Sequence, residues 1–404
     1  RETLGTKLAY YAGWTYWACH ITYIASKPSG GLKALSWVIF RDASLYDSLP
    51  SIYIQLITFA LLLIFCYVAS RGLNPLKKMA TLAGTSMFVM SLLYILMMFA
   101  APILNPKADY VSLDFSLKNL IPTFNLKYFT SLSILVFAVG GCEKISPYVN
   151  KVENPSKGFP KGMIALAIMV VVCAMLGTIA MGMMFDPKLV NASKESFDSY
   201  AANGSYWAFQ KLGEYYHVGD ALLIIYALCN VIGQFAVLII SIDAPLRMLL
   251  DNEDTKQFIP KALLKQNDVG SYTNGIKMVA VLSGSIILAQ SFVPGAAAVL
   301  KQLTKLNSVC MPLRYLWVFV AYIALRKGGE KFQPEYRFVK SNAVALGFGI
   351  WCFVVTALCC LLGMHSDDPF TFALNVITPL VLTALGLILP FIAKREKKGV
   401  TQEG

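Results

Sequence analysis

This sequence has little charge. Only 14% of its 404 residues are Asp, Glu, Lys or Arg, while 56% are hydrophobic and the mean hydropathy is +0.58. Soluble domains carry roughly a quarter charged residues, so a water-soluble globule is excluded. The alternating ten-residue segments of a membrane β-barrel are also lacking, which leaves helices as the spanning structure. Histidine is scarce: His20, His217 and His365 lie far apart and make no ligand motif. The nine cysteines show no CxxC spacing, so they read as small apolar packing residues, and neither a metal nor a cofactor is expected. Paired catalytic carboxylates, an HExxH motif and a Ser/Lys dyad are missing as well, so an enzyme is not expected. The first residue is Arg1 rather than Met, and no signal peptide precedes the first apolar run. The chain is therefore expected to be processed or incomplete at its N-terminus.

What is present is a series of long apolar runs. About 20 apolar residues span the roughly 30 Å hydrocarbon core of a bilayer as a helix. Ten such runs can be read, over 8–25, 52–70, 79–102, 129–147, 161–185, 219–246, 276–292, 300–326, 341–364 and 369–393. Everything from 1 to 404 then belongs to one transmembrane domain. Loops 148–161 and 247–277 and the tail 394–404 fall on one side, and loops 26–51, 103–128 and 186–218 on the other.

The net charge of +12 could suggest nucleic acid, but its distribution points elsewhere. Of the 35 Lys and Arg, 22 fall on the side of both termini and nine in the opposite loops. This is the positive-inside bias, so a multi-pass cell (inner) membrane protein with both termini cytoplasmic is expected, with the lipid bilayer and not nucleic acid as partner. Loop 186–218 contains "KESFDSYAANGSYWAFQKLGEYY", and its aromatic residues suggest short interfacial helices.

One span is interrupted. Residues 137–147 read "FAVGGCEKISP": two glycines break an apolar helix, and two charges and a proline follow. Paired glycines alone fit close helix packing. Glu143 changes that reading, because an ionisable group at membrane depth is costly and faces a cavity or partner. A break at Gly140-Gly141 would free backbone groups that only protein or water can satisfy. Discontinuous transporter helices use such freed ends to hold the charged groups of a small substrate.

"FAVGGCE", followed eleven residues after Glu143 by "NPSKGFPKG", resembles the sixth helix and following loop of the amino acid–polyamine–organocation (APC) superfamily permeases. "AYYAGWTYWACHITY" is similar to that family's third helix, "GQFAVLIISIDAPLRML" to its eighth and "LTKLNSVCMPLRYLWVFVAYIALRK" to its tenth. The closest resemblance is to the bacterial glutamate/4-aminobutyrate antiporter-like group. It implies an all-α polytopic membrane protein of the LeuT type, with two inverted five-helix repeats and two further helices. The ten spans would match helices three to twelve, so counterparts of the first two, including the other broken helix, are expected to be missing.

The resemblance implies a secondary active transporter of amino acids working by alternating access as an amino acid/amine antiporter. Its partners would be an amino acid or amine substrate and, as a further candidate, protons. A permease-fold nutrient sensor and a proton-coupled amino acid symporter stay open as alternatives. Monomer and homodimer are both open. By resemblance, Phe137, Ala138 and Gly140 would offer backbone carbonyls to the substrate ammonium, with Gly141 completing the break. Phe137 and Phe235 would cap the substrate. Glu143, Tyr10 and Tyr315 would form a proton-sensing gate.

Arg314 lies near the middle of its span beside Pro312. It reads either as a structural ion pair with Asp243 or Glu143, or as the partner of a substrate carboxylate. Where related sodium-independent permeases often carry a lysine midway along the fifth helix, this sequence has Thr85 and Ser86. Ser241 is one weak candidate for a sodium-site hydroxyl, and exchange without sodium is the expectation.

Overall fold

The computed structural model describes residues 2–117, 121–292, 312–328 and 331–402. Its main helices are α1 (Thr6–Phe40), α2 (Ser51–Ser70), α3 (Leu73–Leu104), α4 (Leu126–Val139), α5 (Pro155–Gly182) and α6 (Lys194–Tyr215). They continue as α7 (Ala221–Leu250), α8 (Thr273–Phe292), α9 (Tyr315–Lys327), α10 (Asn342–Gly363), α11 (Pro369–Ala384) and α12 (Ile388–Gln402). No strand occurs among the described residues. The chain is an all-α, multi-pass membrane protein. Its outward faces carry large apolar side chains: Ile103 is 81% exposed, Leu96 67% and Trp351 66%, as expected of surfaces that meet lipid.

Eight helical segments among the described residues are long and apolar enough to cross a membrane, against the ten runs read from the sequence. The two others differ for separate reasons. Helix α1 is long enough, but Tyr16, His20, Tyr23 and Lys27 dilute its hydropathy. Of the run read over 300–326, residues 300–311 lie outside the described residues, Cys310 among them.

Two expectations are corrected. Helix α1 does not stop at residue 25 but continues through Pro28 to Phe40. The hydroxyls of Ser26 and Ser29 donate to the carbonyls of Tyr23 and Ser26 beside the proline. Its second half is held by packing: Ala34 and Trp37 are buried, and Trp37 stacks on Tyr206 at 4.9 Å. Loop 186–218, read as short interfacial helices, contains the 22-residue helix α6. The Ser193 side chain caps it by accepting from the Ser196 N–H. Its buried face includes Tyr206, Phe209, Leu212 and Tyr215, which pack it against Tyr94 and Tyr226 as one long helix rather than several short ones.

Helices α1 and α7 pack along each other and form the centre of the molecule. One core joins α1 to α2, α7 and α8 through Trp17, Ile24, Leu62, Leu238, Leu246 and Val279. The other joins the far end of α1 to α3, α6 and α7. Helix α4 packs on α10, and α10 on α9.

Asp243 fixes the segment that follows α4. Its Oδ2 accepts from Arg247 Nε at 2.7 Å and from the Tyr148 hydroxyl at 2.6 Å, and Arg247 Nη2 reaches the Gly270 carbonyl at 3.1 Å. Asp243 thus pairs one turn along its own helix, not with Arg314. Removing one partner of a buried pair costs about 3–5 kcal/mol. Asp243→Ala is therefore expected to lower the melting temperature of the purified protein, whereas an unchanged melting temperature would remove the tether.

Candidate functional site

Helix α4 ends where its glycines begin. Gly140 is extended and Gly141 takes φ +113°, a conformation that favours glycine. A 3-10 segment, Cys142–Lys151, follows. Because a helix end leaves carbonyls and N–H groups without intrahelical partners, the break has to be capped. Glu143 does so by folding back: its Oε2 accepts from the Gly141 N–H at 2.9 Å. A Cβ at Gly140 would strike the Tyr315 hydroxyl, so the absence of a side chain there is what admits Tyr315.

The other oxygen of Glu143 faces two helices. Oε1 accepts from the Tyr16 hydroxyl at 2.8 Å and from Arg314 Nη2 at 2.8 Å. Arg314 sits at a turn between Pro312 and α9, and its side chain is 2% exposed. Nη2 also donates to the Tyr315 hydroxyl at 3.3 Å, and the guanidinium lies 4.3 Å from the Tyr16 ring centre. Nη1 reaches the ring nitrogens of His20, a residue buried completely, at 3.0 and 3.1 Å. Arg314 Nε is buried and has no hydrogen-bond partner among the described residues.

Next to this cluster is a cavity of about 190 Å³ lined by Tyr23, Phe137, Ala138, Gly140, Gly141, Lys144, Arg314 and Tyr315. Drug-sized ligands occupy pockets of roughly 300–1,000 Å³, so this one suits a molecule of amino-acid size. Lys144 Nζ lies 3.3 Å from the buried Ser241 hydroxyl and 4.9 Å from the Tyr23 ring centre, and Lys27 Nζ is 4.5 Å from the same ring. Lys27, Lys144 and Arg314 bring three positive charges to this region, and Glu143, already engaged by Arg314, brings one negative charge.

The structure brings most of the residues singled out in the sequence together. Phe137, Ala138, Gly140, Gly141, Arg314 and Tyr315 share the cavity, with Glu143 bonded to Arg314 beside it. Tyr10 and Phe235 stand apart. The Tyr10 hydroxyl donates to the Gly386 carbonyl at 2.7 Å, and its ring packs on Tyr11 and Phe258. The Phe235 ring stacks on Phe65 at 4.5 Å and lies over Gly31. The tyrosine that reaches Glu143 is Tyr16, almost two helical turns beyond Tyr10. Sequence reasoning also missed His20, Tyr23 and Lys27, and it left open which of Glu143 and Lys144 lines the cavity. A signal existed for the first three: Tyr16, His20, Tyr23 and Lys27 recur at i, i+4, i+7 and i+11, one polar face on an apolar helix.

Over residues 1–394 the sequence matches the amino acid permease family. It is 46% identical to the aspartate/glutamate permease AcaP of Lactococcus lactis subsp. cremoris (strain MG1363), covering 99% of this chain and 83% of that protein. It is 23% identical to the inner membrane transporter YjeM of Escherichia coli (strain K12), over 88% of this chain and 74% of that one. The probable agmatine/putrescine antiporter AguD of Lactococcus lactis subsp. lactis (strain IL1403) is 22% identical over 58% of this chain and 48% of its own length.

Proposed function

Because the chain belongs to the amino acid permease family, we propose that it carries an acidic amino acid across the membrane by alternating access at the cavity beside the α4 break. Exchange against a second amino acid or its amine product completes the cycle, and both termini face the cytoplasm. The observation that carries this reading is Arg314 itself: it lines the cavity and keeps a buried Nε–H without a partner among the described residues. An unmade hydrogen bond of that kind is costly in a water-poor site, and a substrate carboxylate supplies the acceptor once the guanidinium turns toward the cavity. Lys144 supplies a second cationic contact, so the side-chain carboxylate of aspartate or glutamate distinguishes these substrates from neutral amino acids. The similarity to a protein named as an aspartate/glutamate permease supports the same class. The substrate ammonium is held by backbone carbonyls at the end of α4 near Phe137 and Ala138. Glu143, Arg314, Tyr16 and Tyr315 act as the gate that closes one side.

The test is counterflow of labelled aspartate and glutamate into liposomes containing the purified protein. Failure to move any amino acid or amine would sink the transporter reading, and equilibrium binding without flux would turn it into a sensor. Within the reading, Lys144→Gln is expected to weaken apparent aspartate affinity by about tenfold, or about 1.4 kcal/mol, and that of asparagine far less. Equal losses for both would take Lys144 out of substrate selection.

A further inference from the structure

Tertiary packing places a histidine and an arginine in contact away from water. Both are buried, and Arg314 Nη1 lies 3.0 Å from His20 Nε2 and 3.1 Å from Nδ1. A position equidistant from the two nitrogens is over the Nδ1–Cε1–Nε2 edge of the ring, not along one lone pair. His20 Nδ1 is also 2.8 Å from the Tyr16 carbonyl oxygen, which can only accept, so Nδ1 carries the hydrogen and Nε2 is bare. A neutral imidazole tolerates a guanidinium over its ring. An imidazolium does not: two positive charges at this distance outside bulk water repel by several times the thermal energy.

We propose that His20 is a proton-binding site of the transport cycle, and that its proton and the Arg314–Glu143 contact exclude each other. The proposal rests on the reading of the adjoining cavity as the substrate site. A proton from water on the open side adds to the lone pair of Nε2, while the Nδ1–H bond to Tyr16 is kept. The guanidinium then has to leave the ring, and its Nη2 leaves Glu143 Oε1 with it. Glu143 remains held by the Tyr16 hydroxyl and the Gly141 N–H, and Arg314 is free to turn toward the cavity. When the proton returns to water, the pair re-forms.

The ionisable groups around His20 among the described residues set the sign of the coupling. Tyr16, Cys19 and Tyr23 lie on its own helix, Glu143 and Lys144 on the 3-10 segment, and Arg314 and Tyr315 at the start of α9. A proton on His20 adds positive charge where Lys144 and Arg314 already stand and Glu143 supplies one negative charge, so the excess is positive and an anionic occupant of the cavity offsets it. Proton and acidic substrate therefore promote each other's binding, since linkage between two sites is reciprocal. The reading from sequence gave the proton to Glu143, but the packing gives Glu143 three donors and leaves the bare ring nitrogen on His20.

Two measurements test this. The first is nitrogen NMR of ring-labelled histidine in the purified protein, where His20→Gln identifies one of only three histidine signals. Wild-type His20 is expected to be the neutral Nδ1–H form at neutral pH, and in Arg314→Gln the doubly protonated form is expected to appear under mildly acidic conditions in which the wild type lacks it. Doubly protonated His20 in the neutral wild type, or the same titration in both proteins, would overturn the proposal. The second is labelled aspartate flux in liposomes with and without an inward proton gradient. The ratio of the two fluxes is expected to exceed one in the wild type and to fall to one in His20→Gln, whatever its absolute flux. A ratio of one in the wild type, or an unchanged ratio in His20→Gln, would overturn it. Wild-type liposomes with no aspartate flux at all would count against the substrate reading alone, and the NMR result then decides the proton site.

Discussion

Arg314→Gln is expected to abolish uptake of acidic amino acids and to destabilise the protein as well. The guanidinium holds Glu143, His20 and Tyr315 at once and lines the cavity, so no other side chain can replace its set of donors. Removing it leaves Glu143 with a charge that only Tyr16 and one backbone N–H satisfy. Breaking a buried pair from one side costs about 3–5 kcal/mol, whereas removing both charges together is often close to neutral. The double variant Glu143→Gln/Arg314→Gln is thus expected to recover most of the lost melting temperature and none of the transport. If the double variant were as unstable as the single one, the pair would not be what holds this region together. Arg314→Lys is not a conservative change here, because an ammonium is a point charge without the planar fork that reaches three partners.

The second large effect concerns the break itself. Gly140→Ala is expected to eliminate substrate binding, because the added Cβ would occupy the place of the Tyr315 hydroxyl and push that ring out of the cavity wall. If the clash is the cause, only loss of the whole ring relieves it, since Cζ and Cε2 would also lie 2.7 and 2.8 Å from the added Cβ, and Gly140→Ala/Tyr315→Ala should regain thermal stability relative to Gly140→Ala. A double variant no more stable than the single would assign the damage to the backbone instead. Gly141→Ala fails for a different reason. At φ +113° a side chain is strained whatever space surrounds it, at a cost of about 1–3 kcal/mol, and no second substitution nearby should rescue it. Melting curves of the three variants distinguish steric from conformational damage.

Much of this site was legible because it is local. Gly140, Gly141 and Glu143 lie within four residues, and a charge beside paired glycines in an apolar run needs explaining whatever else the chain does. Arg314 was legible for the same reason, as a cation near the middle of a span. Its alternatives were not: Asp243 and Glu143 were equal candidates for its partner, and only the packed helices separate them. Asp243 is taken by Arg247 and Tyr148, while Glu143 meets Arg314 at 2.8 Å. Tyr10 and Tyr16 show the same limit. Both are tyrosines on one apolar helix, and the choice between them is a matter of height along α1 relative to the end of α4.

Composition and run length determined that this chain is a helical membrane protein, because a bilayer penalises charge and unpaired backbone at every position alike. The broken helix was likewise written in the sequence, since glycine's freedom and a buried carboxylate act at the residue that carries them. The pairing of Arg314 with Glu143, the burial of His20 against that arginine, and the approach of Lys144 to Tyr23 were decided by tertiary structure. The Arg314–Glu143 and Arg314–His20 contacts join residues 171 and 294 positions apart, and which long-range partners meet depends on how the faces of whole helices pack, a property no single stretch of sequence contains.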